Sequence, residues 1–227
     1  MIGSIGAMKM ETEALIAAVS NATQETVSGV TYTVGMLEGK DVVIATCGVG
    51  KVYAAICAQT MILRYQPDLL INTGVAGTLS PTLGIGDVAV ATELLQHDMD
   101  TSAIGDPVGL VSGINRIYFE ADAKTAEKLT NCVIACGAHV EQGRIASGDQ
   151  FVADAARKKF IREQFGAIAC EMEGAAIAQV ATVNGVPFAV LRAISDSADG
   201  EATMDFPTFA AKASARSVAV LRKFLQI

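Results

Sequence analysis

Ala167-Ile-Ala-Cys-Glu-Met-Glu-Gly-Ala-Ala-Ile-Ala-Gln-Val-Ala-Thr-Val-Asn-Gly-Val-Pro-Phe-Ala-Val-Leu-Arg-Ala-Ile-Ser-Asp196 is the stretch that decides the fold. An apolar, β-like run over Ala167–Cys170 stops at two acids, and a small-residue helical pattern follows over Gly174–Val183. A second apolar run spans Phe188–Ser195, so the stretch reads strand, helix, strand, the repeating unit of α/β architecture. Gly174–Leu191 carries no charge, but its Gln, Asn, Gly and Pro break it into helix, turn and strand, which excludes a transmembrane reading. Glu173 and Asp196 close the two apolar runs. Each carboxylate is expected in a largely buried setting, where an unpartnered charge is expensive. Either one alone reads equally well as a cap or an ion-pair residue. Together with Glu11 near the N-terminus they point to a site.

The same alternation extends outward along the chain. Further strands are expected at Ile2–Gly6, Thr31–Leu37, Val42–Cys47, Leu69–Thr73, Asp87–Ala91 and Val140–Ala146, and further helices at Glu11–Val19, Val52–Tyr65, Ala121–Cys136, Ala153–Gln164 and Phe206–Leu225. Glu38-Gly39 reads as a hairpin turn. The rest reads as βα units. The expected fold is therefore a single α/β domain over residues 1–227, with a mixed, mostly parallel, curved central sheet and helices on both sides. The longest irregular region, Leu94–Tyr118, is a candidate functional loop.

Composition narrows the class. The 227 residues are 51% apolar but only 5% aromatic, with no Trp and 21 Gly, which suits tight layered packing of aliphatic side chains. Lys and Arg number 17 against 24 Asp and Glu, a net charge of −7. With no basic cluster, the chain lacks the footprint of a nucleic-acid or anionic-membrane binder. Five Cys, an odd count set mostly in apolar runs, read as buried thiols of a reducing cytoplasm. Cys132 and Cys136 share a helix face, but no second pair completes a zinc set. The opening Met1-Ile-Gly-Ser-Ile-Gly-Ala-Met-Lys9 has no basic region before its short apolar run and does not read as a signal peptide.

Glycines recur at the expected carboxyl ends of strands: Gly6, Gly48 and Gly50, Gly74 and Gly77, and Gly148. Ligands of open α/β sheets bind at that edge. The same rim holds Glu11, Asp149, Glu173 and Asp196, against Lys51 and Arg192 as its only cations. Gly48-Val-Gly-Lys51 lacks the spacing of a phosphate-binding P-loop, and no Gly-x-Ser-x-Gly elbow accompanies the two histidines, His97 and His139. His97 reads as a loop residue. Arg192, inside an apolar strand, must pair with something, and Glu11 and Glu173 are the natural candidates.

Six blocks, Ile5-Gly6-Ala7-Met8 with Glu11, Cys47-Gly-Val-Gly-Lys51, Asn72-Thr-Gly-Val-Ala-Gly77, Ser147-Gly-Asp-Gln-Phe151, Glu171-Met-Glu173 and Arg192-Ala-Ile-Ser-Asp196, occur in an order and spacing that resemble the 5′-methylthioadenosine/S-adenosylhomocysteine nucleosidases, a branch of the nucleoside phosphorylase family. The resemblance implies a three-layer nucleoside phosphorylase-like sandwich and hydrolysis of the N-glycosidic bond of adenine nucleosides without metal or cofactor. It implies Glu11 as the base that activates water and Asp196 as the acid at adenine N7. Glu173 would bind the ribose hydroxyls, Met172 would pack on the nucleoside, and Met8 is a further substrate-binding position. Gly77 and Val152 match adenine-binding positions, Phe151 the ring stacked on the base, and Phe206 the aromatic closing the pocket, with Ala76 a further substrate-binding position. Ser195 and Arg192 match residues supporting the acid and the water. A homodimer is implied, with the neighbouring subunit completing the 5′ pocket.

Val75 departs from the resemblance, standing where the best-known members have a Ser near the water. The loop Asp100–Pro107 also lacks the aromatics expected around a 5′-alkylthio group. Three alternatives stay open: a phosphate-dependent purine nucleoside phosphorylase, which would want several Arg on the rim; an aminofutalosine hydrolase using the same site; and a non-catalytic nucleoside-binding protein, which would have no need of Glu11.

Overall fold

Alternation in the strands feeds two cores at once. In β4 (Lys40–Thr46), Val43 and Ala45 enter one buried cluster while Val42 and Ile44 enter another. Successive side chains point to opposite faces of a strand, so this sheet must be covered on both sides. The computed structural model describes residues 1–196 and 206–227, and of residues 196, 206 and 207 only the backbone. In it, α1 (Lys9–Ala17), α3 (Ala123–Ala135) and α6 (Phe206–Leu225) cover one face, and α2 (Lys51–Tyr65) and α5 (Gly174–Asn184) the other. The last described helix, α4 (Ala155–Phe165), packs against β8 (Val140–Ser147) and β9 (Ala167–Glu171).

β1 (Ile2–Gly6) runs parallel between β4 and β5 (Leu69–Thr78). Beyond β4, β3 (Val30–Leu37) and β2 (Ser20–Val27) follow as antiparallel hairpins. β5 keeps β10 (Phe188–Asp196) along one side and changes partner along the other, from β1 over Leu69–Asn72 to β9 at Gly77 and Thr78. β10 pairs with β6 (Val88–Gln96), β6 with β8, and β8 with β9. The circuit β5–β10–β6–β8–β9 thereby closes on itself, and closure leaves no free edge in that half of the sheet. A short β7 (Phe119–Glu120) pairs with the far end of β6.

The α/β class with helices on both faces is as expected, and most element boundaries shift by only a few residues. The sheet itself is mixed rather than mostly parallel. Among the described residues five strand pairs are parallel and five antiparallel. The two-residue turns explain part of this. Glu38-Gly39 is the expected hairpin turn, and Ser28-Gly29 is another, all four residues having positive φ as a type I′ turn requires. Gly74 and Gly77 lie inside β5, not in a turn after it. No described helix is long and apolar enough to cross a membrane. None of the five cysteines is in a disulfide, and four of them are buried.

Candidate active site

Glu11 owes its position to how α1 begins. Met8 is the extended residue before the first turn, and Glu11 reaches back over it in a capping-box arrangement. Glu11 Oε2 accepts from the N–H groups of Ala7 at 2.7 Å and Met8 at 2.8 Å, and Oε1 accepts from the N–H of Val75 at 3.1 Å. The carboxylate is thus buried at the junction of β1, α1 and β5, with its orientation fixed by three main-chain donors.

Arg192 sits opposite Gly74 in the β10–β5 register and is fully buried. Val190 and Ile194, two residues to either side, lie in the cluster that contains α5, so strand parity turns Arg192 toward the α5 face. A Cβ on Gly74 would collide with both Arg192 Nη1 and Glu11 Oε1. Glycine is required here by converging side chains rather than by backbone conformation. Of the two expected partners of Arg192, Glu173 pairs with it and Glu11 does not. Arg192 Nη2 donates to Glu171 Oε2 and Asn72 Oδ1, with Glu173 Oε2 at 3.6 Å, whereas Glu11 bonds to main chain instead. Glu171, a residue that sequence reasoning left without a role, is the main partner. It also accepts from Ser147 Oγ and from the N–H groups of Glu173 (3.0 Å) and Gly174 (2.8 Å), capping α5. Ser147 Oγ in turn accepts from the N–H of Ala175 at 2.7 Å. One signal was legible: a buried Arg beside a Glu-x-Glu pair has two acids to choose from, and the one at the end of β9 faces it directly.

Glu173 is the residue before α5, almost fully buried, and its Oε1 accepts from the N–H of Gly50 at 2.9 Å. Burial first, and then the neighbouring Glu171 charge, push its carboxyl up from 4.5 to about 7, against the pull of Arg192. A raised native pKa means the ionised form is disfavoured by folding. The associated stability is fully present below the unfolded value of 4.5 and is lost as pH rises through about 7. Glu173→Gln keeps an acceptor for Gly50 and cannot ionise. We therefore expect thermal melts to show the wild type losing stability relative to this variant between pH 4.5 and pH 8, by on the order of a few kcal/mol. A difference that stays constant with pH would remove this account.

These groups open onto a cavity of about 200 Å³. Of the residues expected at the site, Met8, Glu11, Ala76, Gly77, Phe151, Val152, Met172, Glu173 and Ser195 line it, joined by Val75, Gln150, Cys170 and Glu171. Ser195 is the extra residue of a bulge between Ile194 and Asp196, and bulges re-aim side chains. Its Oγ donates to the Ala76 carbonyl at 3.4 Å. Arg192 stands behind the wall. The backbone of Asp196 pairs with Gly77, but its side chain and that of Phe206 lie outside the described residues. Asp149, expected on the acidic rim, instead turns to α2, where its Oδ1 accepts from the N–H of Lys51 at 2.8 Å.

Comparison with known proteins agrees with this geometry. Residues 1–226 match the family model described as the phosphorylase superfamily. A 5′-methylthioadenosine/S-adenosylhomocysteine nucleosidase of Shewanella baltica is 40% identical over 227 residues, 99% of this chain and 96% of that protein. The crystal structure of the nucleosidase of that name from Neisseria meningitidis, in complex with methylthio-immucillin-A, superposes with a TM-score of 0.94 at 37% identity, covering 99% of this chain and 98% of the other. A futalosine hydrolase of Helicobacter pylori superposes with a TM-score of 0.92 at 36% identity, covering 98% and 96%.

Proposed function

Because the chain belongs to the phosphorylase superfamily, we propose that it is an N-glycosyl hydrolase. Its substrate is 5′-methylthioadenosine, S-adenosylhomocysteine or a related 5′-substituted adenosine, cleaved to adenine and a ribose derivative. The observation that carries this reading is the charge of the cavity wall. Its described lining holds three carboxylates, Glu11, Glu171 and Glu173, and no Lys, Arg or His. Fixed carboxylates stabilise a ribosyl group as it gains oxocarbenium character. An attacking phosphate would instead require cations, and Arg192 behind the wall is already matched by Glu171 and Glu173. Hydrolysis is favoured over phosphorolysis on that ground. The names of the similar nucleosidases support the substrate class.

In this reading Glu11 takes a proton from water as the water oxygen bonds to C1′. The C1′–N9 bond breaks, and adenine N7 receives a proton from Asp196. Glu173 binds the ribose hydroxyls, Met8 and Met172 pack on the nucleoside, and Phe151 stacks on the base. Main chain at Ala76, Gly77 and Val152 meets the adenine edge. Ser195 orients Asp196 and Phe206 closes the pocket, while Arg192, behind the wall, holds Glu171 and Glu173 in place. The likeness to the futalosine hydrolase supports a second substrate, since a 6-amino analogue of futalosine would present the same adenine to the same wall.

We further propose that the whole chain works as one unit in a reducing cytoplasm and pairs as a homodimer. The family match over residues 1–226 and five cysteines without a disulfide support the first statement. Val52, Tyr53, Ile56 and Leu63 of α2 stand exposed next to Val49, an apolar surface that supports the second. An adenine-release assay on a panel of 5′-substituted adenosines, with and without phosphate, tests the function. Phosphate-independent release is expected, and a strict phosphate requirement would overturn the reading. Light scattering on the same sample should give two chains; a fully active monomer would remove the dimer.

A further inference from the structure

The wall that carries Phe151 and Val152 belongs to the segment between β8 and α4, which contributes no regular secondary structure. Something else must hold it. Three residues from three separate elements close a ring of hydrogen bonds beneath it. The N–H of Lys51, at the start of α2, donates to Asp149 Oδ1 at 2.8 Å. The N–H of Asp149 donates to Asp98 Oδ2 at 2.9 Å, and Asp98 follows the end of β6. Lys51 Nζ then donates to Asp98 Oδ1 at 2.7 Å and to Gln96 Oε1 at 3.0 Å.

The ring reaches the surface at Asp149, which is exposed, but its Lys51–Asp98 side is largely buried. The Lys51 and Asp98 side chains are only 18% and 17% exposed, which takes their contact out of the range where ion pairs contribute little. Burial opposes the charge on Asp98, yet Lys51 and the Asp149 N–H hold its carboxyl below the usual carboxylate range. Just before Asp149, Gly148 backs onto the buried ring of His97, where any Cβ would collide with Nε2. His97 is itself fixed by Arg157, whose Nη2 donates to the His97 carbonyl at 3.1 Å. His97 is a loop residue, as expected, in the turn after β6, and it is buried there as a packing residue. Gly50, the residue before Lys51, donates its N–H to Glu173. Two successive amides at the start of α2 thus hold one acid of the pocket and the anchor of its Phe151 wall.

From this geometry we propose that Lys51, Asp98 and Asp149 form a clasp that positions the Phe151–Val152 wall, acting as positioning residues for binding the base rather than for breaking the bond. The assignment rests on the reading of Phe151 and Val152 as the base-binding wall. It also explains two residues the reaction does not use, the Lys of Cys47-Gly-Val-Gly-Lys51 and the Asp of Ser147-Gly-Asp149.

The test compares the full-length wild type with Lys51→Met, Asp98→Asn, their double variant and Lys51→Arg. Turnover of 5′-methylthioadenosine, calorimetric binding of adenine, and hydrogen exchange at amides 149–152 without ligand are measured on each. The expected result is a KM and an adenine Kd raised about tenfold in each single variant, with kcat changed less than about threefold. The double variant should lose little more than either single one, as coupled residues do. Lys51→Arg should recover most of the binding, and exchange at amides 149–152 should quicken in Lys51→Met and Asp98→Asn. Unchanged exchange and unchanged adenine affinity in either foldable variant would overturn the clasp, as would a loss confined to kcat. A wild type that binds no adenine would instead overturn the functional reading, and the exchange data would then judge the clasp alone.

Discussion

Glu11→Gln should lower kcat on 5′-methylthioadenosine by about 10³-fold, within the range for losing a positioned proton acceptor. Binding of a nucleoside-analogue inhibitor should remain measurable, because the wall formed by Phe151, Val152, Met172 and Glu173 is untouched. The change also carries a folding cost. Wild-type Glu11 accepts from three N–H groups, two on Oε2 and one on Oε1. An amide offers one oxygen, so its NH₂ must face at least one of those donors. Losing that bond should cost about 1–3 kcal/mol, small enough to separate from the kinetic effect by a thermal melt. Near-normal kcat in a folded variant would mean that another group takes the proton.

Arg192→Met should act first on stability. It strands Glu171 in a setting where Asn72, Ser147 and the start of α5 all depend on that carboxylate or its partner. Removing one side of a buried ion pair typically costs about 3–5 kcal/mol, a fall in Tm on the order of 10 °C for a chain of this size. Adding Glu171→Gln should return part of the loss, since the uncompensated charge is then gone. A single variant melting within about 2 °C of wild type would show that Arg192 is not matched by Glu171 in the way that leaves the cavity without a cation for phosphate.

Much of the molecule was legible because its strands are buried on both faces. Runs such as Val42–Ala45 and Phe188–Leu191 carry a continuous apolar signal, and the helices between the strands are bounded by turn residues. β2 gave no such signal. Ser20–Val27 is a polar strand exposed along nearly its whole length, so neither alternation nor hydrophobicity marks it, and only pairing with β3 makes it a strand. The end of β5 was hidden for the opposite reason. Gly74 and Gly77 read as turn residues, yet one is a glycine to admit Arg192 and Glu11, and the other changes partner from β1's side to β9.

Local patterns suffice to read the α/β class and the order of nearly all elements, and they single out the acids at which the chemistry is expected, because burial of apolar runs and the expense of lone buried charges are local signals. Which acid faces Arg192, how the strands close into a circuit through antiparallel pairs, and how Lys51, Asp98 and Asp149 meet were decided only by the tertiary structure. Those outcomes turn on contacts between residues dozens of positions apart, such as Lys51 and Asp149 or Glu171 and Arg192, and no local pattern encodes the distance between them.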